Sequence, residues 1–119
     1  MKYMIMMFGS ASEMGETQTP EWIREMIGAM MQLDKDLVES GEMVFNEGLA
    51  DPQNATTVTL TNGVPVATDG PFAESKESII GFWIVDVASA ERVREIAASI
   101  VKWSRVLEIR PIAPPPPGL

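Results

Sequence analysis

The groups in this chain able to do chemistry are a cluster of carboxylates around one lysine, with an arginine and a tryptophan further along. Asp69 precedes Gly70-Pro71-Phe72 and is followed by Glu74, Lys76 and Glu77, while Glu47 stands in an earlier segment and Trp83 and Arg110 come later. Asp69 suits either of two tasks. Its carboxylate can accept backbone amide hydrogens in a turn that Pro71 fixes while Phe72 enters the core, or it can serve as a general base or ligand anchor. In the second case Glu47, Glu74, Lys76 and Glu77 would stand close enough to perturb its pKa. The Glu74-Ser75-Lys76-Glu77 run can cradle a small polar ligand or form a solvated connection whose ion pairs matter little. Arg110, two residues after Glu108 on one face of a strand, can hold a ligand carboxylate in its guanidinium fork or close a structural ion pair. Trp83 reads as a core or interface anchor, or as a stacking surface for a ligand, and its indole N–H needs a partner once buried.

The residue types that are missing narrow the field. The chain has no cysteine and no histidine, which removes disulfides, thiolate metal sites, thiol nucleophiles and the histidine base of serine and cysteine hydrolases. Asp69, Glu74 and Glu77 carry oxygen ligands of the kind hard cations take, but the Asp-x-Asp-x-Asp-Gly loop is missing, so neither a metal site nor a cofactor is expected. The nine methionines are read as gap-filling core residues rather than as ligands for copper(I). Seventeen acidic against nine basic residues give a formal charge of -8, which argues against nucleic acid and anionic membranes as partners. The apolar opening, Met1 to Phe8, is too short to span a bilayer and lacks the features of a signal peptide, so a cytoplasmic location is expected.

These residues must be positioned by a succession of short elements. Lys2 to Phe8 predicts a strand, and the turn-forming residues from Gly9 to Thr19 predict a long loop. Thr19-Pro20 then opens a helix whose apolar positions are Ile23, Met26, Ile27, Met30, Leu33 and Leu37, and Gly41 closes it. Met43 to Leu49 predicts a second strand. Thr56 to Thr61 and Val64 to Thr68 flank Asn62-Gly63, a strong hairpin signal. A strand from Ile79 to Val87, a helix capped by Ser89 with Val93, Ile96, Ala97 and Ile100 on its apolar side, and a strand from Val106 to Ile112 complete the chain. This order predicts an α+β domain of ferredoxin-like type over residues 1–112, with an antiparallel sheet, two helices on one face and an extra β-hairpin. Residues 113–119 form a proline-rich extended tail.

Two strands are apolar on both sides. Tyr3, Ile5 and Met7 alternate with Met4, Met6 and Phe8, and Ile79, Gly81, Trp83 and Val85 alternate with Ile80, Phe82 and Ile84. Two helices cover one face only, and each large side chain left wet on the other would forfeit about 1.5 to 3 kcal/mol. A homodimer in which two sheets enclose a shared apolar layer is therefore expected.

The residues Gly48-Leu49, Ala55-Thr56-Thr57-Val58, Thr68-Asp69-Gly70-Pro71-Phe72-Ala73-Glu74-Ser75-Lys76-Glu77, Gly81-Phe82-Trp83 and Glu108-Ile109-Arg110-Pro111 carry a resemblance. Over residues 2 to 112 the chain resembles the DGPF-domain branch of the YCII-related proteins. The resemblance implies a dimeric α+β barrel. It also implies neighbourhood or fusion with extracytoplasmic-function sigma factors, whereas the histidine-aspartate pair proposed for the wider family cannot operate in a chain without histidine. The expected function is binding of a small molecule or a protein partner, with a sigma factor as one such partner. The alternative is a lyase or isomerase acting on a small activated carbonyl compound, with Asp69 or Glu47 as base and Lys76 or Arg110 holding the anionic group.

Overall fold

The computed structural model describes residues 1–72 and 78–118. It contains β1 (Lys2–Phe8), α1 (Ala11–Thr17), α2 (Pro20–Ser40), β2 (Met43–Gly48), a 3-10 turn (Pro52–Asn54), β3 (Thr56–Thr61), β4 (Val64–Asp69), β5 (Ile79–Asp86), α3 (Ala90–Val101) and β6 (Leu107–Pro111). The main sheet has the order β2-β5-β1-β6 with every pair antiparallel, and among the described residues β3 and β4 pair with each other alone. The architecture is α+β with antiparallel sheets, and its order is that of a ferredoxin-like domain.

The helix ends follow from local chemistry. The Thr19 hydroxyl accepts from the Trp22 amide at 3.0 Å, and Pro20 takes the first helical position, where no amide hydrogen is needed. At the other end Gly41 adopts a left-handed conformation, φ +78°. Its N–H bonds Val38 O at 3.1 Å and the Glu42 N–H bonds Leu37 O at 2.9 Å, a Schellman closure. Glu42 is then gripped by Arg92 of α3 through a two-pronged contact, Nε to Oε2 at 2.9 Å and Nη2 to Oε1 at 2.8 Å. That fork fixes the start of β2 against the start of α3.

One expectation is overturned in the segment between β1 and α2. The residues from Gly9 to Thr19 contain a third helix, α1, rather than a continuous loop. Ser10 caps it, and the Asp51 carboxylate, from beyond β2, accepts the N–H groups of Ala11 at 3.0 Å and Ser12 at 3.4 Å together with the Ser12 hydroxyl. Asp51, about forty residues away, thus adds to the local Ser10 cap.

Helices α2 and α3 pack on one face of the sheet. Tyr3, Ile5 and Met7 of β1, Trp83 and Val85 of β5, Leu37 of α2 and Val93, Ile96 and Ile100 of α3 form the buried core. Ile27, expected on the apolar side of α2, is 49% exposed, because Met26, Met30 and Leu33 meet the sheet instead. On the opposite face the register aligns Phe45, Ile84, Met4 and Arg110 in one cross-strand row and Glu47, Phe82, Met6 and Glu108 in the next. The Cα extents of 49 × 48 × 19 Å leave room for one sheet layer and one helix layer at about 10 Å spacing.

The hairpin is held by an Asn62-Gly63 turn with φ of +50° and +80°, as a type I′ turn requires. Phe72, expected in the core, is 86% exposed: Gly70 N–H bonds Ala55 O at 2.8 Å and so continues the hairpin, which carries Phe72 away from the sheet.

The Schellman closure yields a test. Gly41→Ala places a side chain in the left-handed region and should lower stability in urea unfolding by about 1 kcal/mol.

Candidate functional site

The helix-facing sides of β2 and β5 differ along their length. Asn46 pairs with Trp83, and one step further Gly48 pairs with Gly81. The alternation of the strands puts all four on the side that α2 covers. Two facing glycines remove two side chains from that surface. A cleft of about 280 Å³ results, walled by Met7, Met14, Met26 and Met30 among others. A Cβ at Gly81 would lie 3.4 Å from Glu47 O, whereas one at Gly48 would meet nothing closer than 3.9 Å. A side chain at Gly81 would thus rest in close contact with the β2 backbone, whereas Gly48 leaves open space.

At one end of the cleft stands Asp34 of α2. Its Oδ1 accepts from Trp83 Nε1 at 3.0 Å and its Oδ2 from Asn46 Nδ2 at 2.9 Å. This answers the need of the Trp83 indole, which is 6% exposed. Each carboxylate oxygen can accept a second hydrogen bond, so the group retains capacity for a donor placed in the cleft. Polarizable, unbranched methionines around it adapt to ligands of varied shape.

The other sequence-derived residues are distributed over the molecule. Glu47 contributes to the cleft wall, but its register with Phe82 puts it on the open face, opposite to Asn46. Asp69 ends β4 opposite Thr56 and lies outside the residues lining the cleft. Arg110 and Glu108 share the open face, and among the described residues no ion pair joins them. Glu74, Lys76 and Glu77 lie outside the described residues. The structure therefore brings Trp83 and the backbone neighbourhood of Glu47 together, and adds Asp34 and Asn46. Asp34 carried a readable signal. It falls four residues after Met30 and three before Leu37, so it is an acidic residue on the apolar stripe of α2.

The family profile of the YCII-related domain matches residues 1–114. The chain belongs to the YCII-related family. A protein of Rhizobium meliloti (strain 1021), itself described as uncharacterised, is 29% identical over 110 residues, spanning 87% of this chain and 89% of the relative. Among the described residues of this YCII-related protein, no group of three or more His, Cys, Asp or Glu side chains could hold a metal ion, and no helix is long and apolar enough to cross a membrane.

The geometry generates two predictions. Asp34→Ala leaves the buried Trp83 N–H without an acceptor and should cost about 2 kcal/mol in urea unfolding, with a shift in tryptophan emission. For Asp51, the Ser12 hydroxyl and then the amides of Ser12 and Ala11 hold the carboxyl below its ordinary value of 3.8. Arg92 likewise holds Glu42 below 4.5. A carboxyl whose folded pKa is depressed contributes stability above its unfolded value and loses it as pH falls through the folded one. Urea midpoints should therefore be level from about pH 7 to pH 5 and drop below about pH 4, and protection of α1 amides, corrected for intrinsic exchange, should drop with them.

Proposed function

We propose that this protein is a homodimeric binding protein that takes a small, mainly apolar molecule into the Asp34 cleft, with a hydrogen-bond donor of that molecule meeting the carboxylate. The observation that carries the reading is the pairing of Gly48 with Gly81 beside a carboxylate already fixed by two donors. Gly48 ends the edge strand β2 and Gly81 is buried in β5 beside it, and strand glycines of this kind mark places where a ligand can approach the backbone closely. Because Asp34 already accepts from Trp83 and Asn46, it is built to hold a donor in place, which favours binding over proton abstraction.

Self-association is supported by the open face. Phe45, Ile84, Met4 and Phe82 form an apolar patch around the already buried Met6, edged by Glu47, Glu108 and Arg110. Phe45 is 51% exposed although it touches Phe82, with ring centroids 5.9 Å apart. A two-fold stacking of such faces buries the patch and lets Arg110 of one copy approach a carboxylate of the other, giving a dimeric α+β barrel. The Asp69-Gly70-Pro71-Phe72 turn and the Glu108-Ile109-Arg110-Pro111 end support placement in the DGPF branch. That resemblance is the support for a sigma-factor partner, and the cysteine-free sequence agrees with a cytoplasmic setting.

Native mass spectrometry of the protein gently purified from its own host tests the reading. The expected spectrum is a dimer carrying an additional small mass, which disappears in Gly48→Leu while the dimer persists. A bare monomer, or a small mass retained in Gly48→Leu, would contradict it.

A further inference from the structure

On the other side of Met14 from the Asp34 cleft lies a second, larger cavity of about 470 Å³, at the junction of β1, α1 and the end of α3. Trp22 and Trp103 meet edge to face in its wall, with ring centroids 5.3 Å apart and planes inclined by 72°. Lys102 and Arg105 also line it. Lys102 Nζ sits 5.2 Å from the centre of the Trp103 ring, and among the described residues neither cation has an ion-pair partner. In a chain with a formal charge of -8, two unpaired cations beside two indoles make a local exception to the acidic surface.

The backbone at Arg105 is the second observation. After α3 the chain turns with Arg105 N–H bonded to Val101 O at 2.8 Å, and Arg105 itself adopts φ +71°. This is the left-handed position that ends a helix, and glycine is the residue that occupies it at no steric penalty. A favourable interaction of a cation with the carbonyl end of α3 does not require that arrangement, since Lys102 already stands there. Holding an arginine in the left-handed region costs stability, and such strain persists where the side chain has a task.

We propose that this cavity binds a small planar organic carboxylate, its ring packed against Trp22 and Trp103 and its carboxylate held by the Arg105 fork with Lys102 beside it. The guanidinium supplies two parallel N–H donors matched to a carboxylate, and the indoles supply flat apolar walls. Glu13, also in the lining, opposes the anion and sets the affinity below what the cations alone would give. The site stands independently of the Asp34 cleft.

Benzoate, with neutral benzamide as its isosteric control, is the probe. In 15N-labelled protein the indole N–H signals of Trp22 and Trp103, assigned through single Trp→Phe variants, should shift saturably with benzoate at millimolar concentration, while the Trp83 signal stays put and benzamide does nothing. Arg105→Gly should weaken benzoate binding by at least about tenfold and at the same time raise the melting temperature by about 4 °C. Arg105→Lys should keep part of the affinity without raising the melting temperature, and Glu13→Gln should tighten binding. Equal responses to benzoate and benzamide, no saturable shift, undiminished binding in Arg105→Gly, or a lowered melting temperature in that variant would each overturn the proposal; the last would make Arg105 a structural residue.

Discussion

The structure depends on a mismatch between one sheet and the helices available to cover it. The central strands β1 and β5 carry large apolar side chains on both sides, and α2 and α3 both lie on the same side. Burial is the dominant favourable term in folding, so the core formed by Ile5, Val85, Leu37 and Ile100 explains why the monomer folds. It leaves Phe45, Ile84, Met4 and Phe82 in search of a second cover. Among the described residues the one further helix, α1, lies at the edge of the Asp34 cleft on the helix side, and the hairpin forms a separate two-stranded sheet. Another copy of the same surface is the simplest complement, because a two-fold axis presents each patch with its own likeness.

The same sheet, on its helix side, makes the opposite departure. Where the core is otherwise filled, Gly48 and Gly81 face each other and open a cleft beneath α2. Asp34 closes one end of that cleft and stiffens it, because a carboxylate that holds both Trp83 and Asn46 ties the helix to two strands at once. The short helix α1, latched by Asp51, brings Met14 to the boundary between this cleft and the tryptophan-lined cavity beyond. The cleft of this chain thus owes its space to missing side chains.

How much of this was legible from residues alone depended on how local the determinant was. The caps Thr19 and Ser89, the Gly41 closure and the Asn62-Gly63 turn act within a few residues, and each structural boundary falls near where those signals place it. The third helix has a local cap in Ser10, three residues before Glu13, but it is only seven residues long, contains Gly15 and buries none of its residues, so it lacks the apolar periodicity that marks α2 and α3. Phe72 was misplaced because the Gly70 bond to Ala55 extends the hairpin and turns the ring outward. Among the site residues, Trp83 was visible as an apolar strand tryptophan with a polar atom to satisfy. Its acceptor was not singled out, although Asp34 interrupts the apolar stripe of α2. Asp69 drew attention through its motif, yet a motif does not say which surface a residue joins, and its place at the end of β4 sets it apart from the cleft lining.

The central claim is that the second face of the sheet is covered by a second copy of the chain. Sedimentation velocity on the wild-type protein and on Phe82→Glu, with circular dichroism as a control for folding, tests it most directly. The account predicts a wild-type species of twice the chain mass and a folded monomeric variant, because a carboxylate at Phe82 would be buried without a partner at the centre of the shared layer. A wild-type monomer, or a Phe82→Glu protein that remains a dimer, would contradict it.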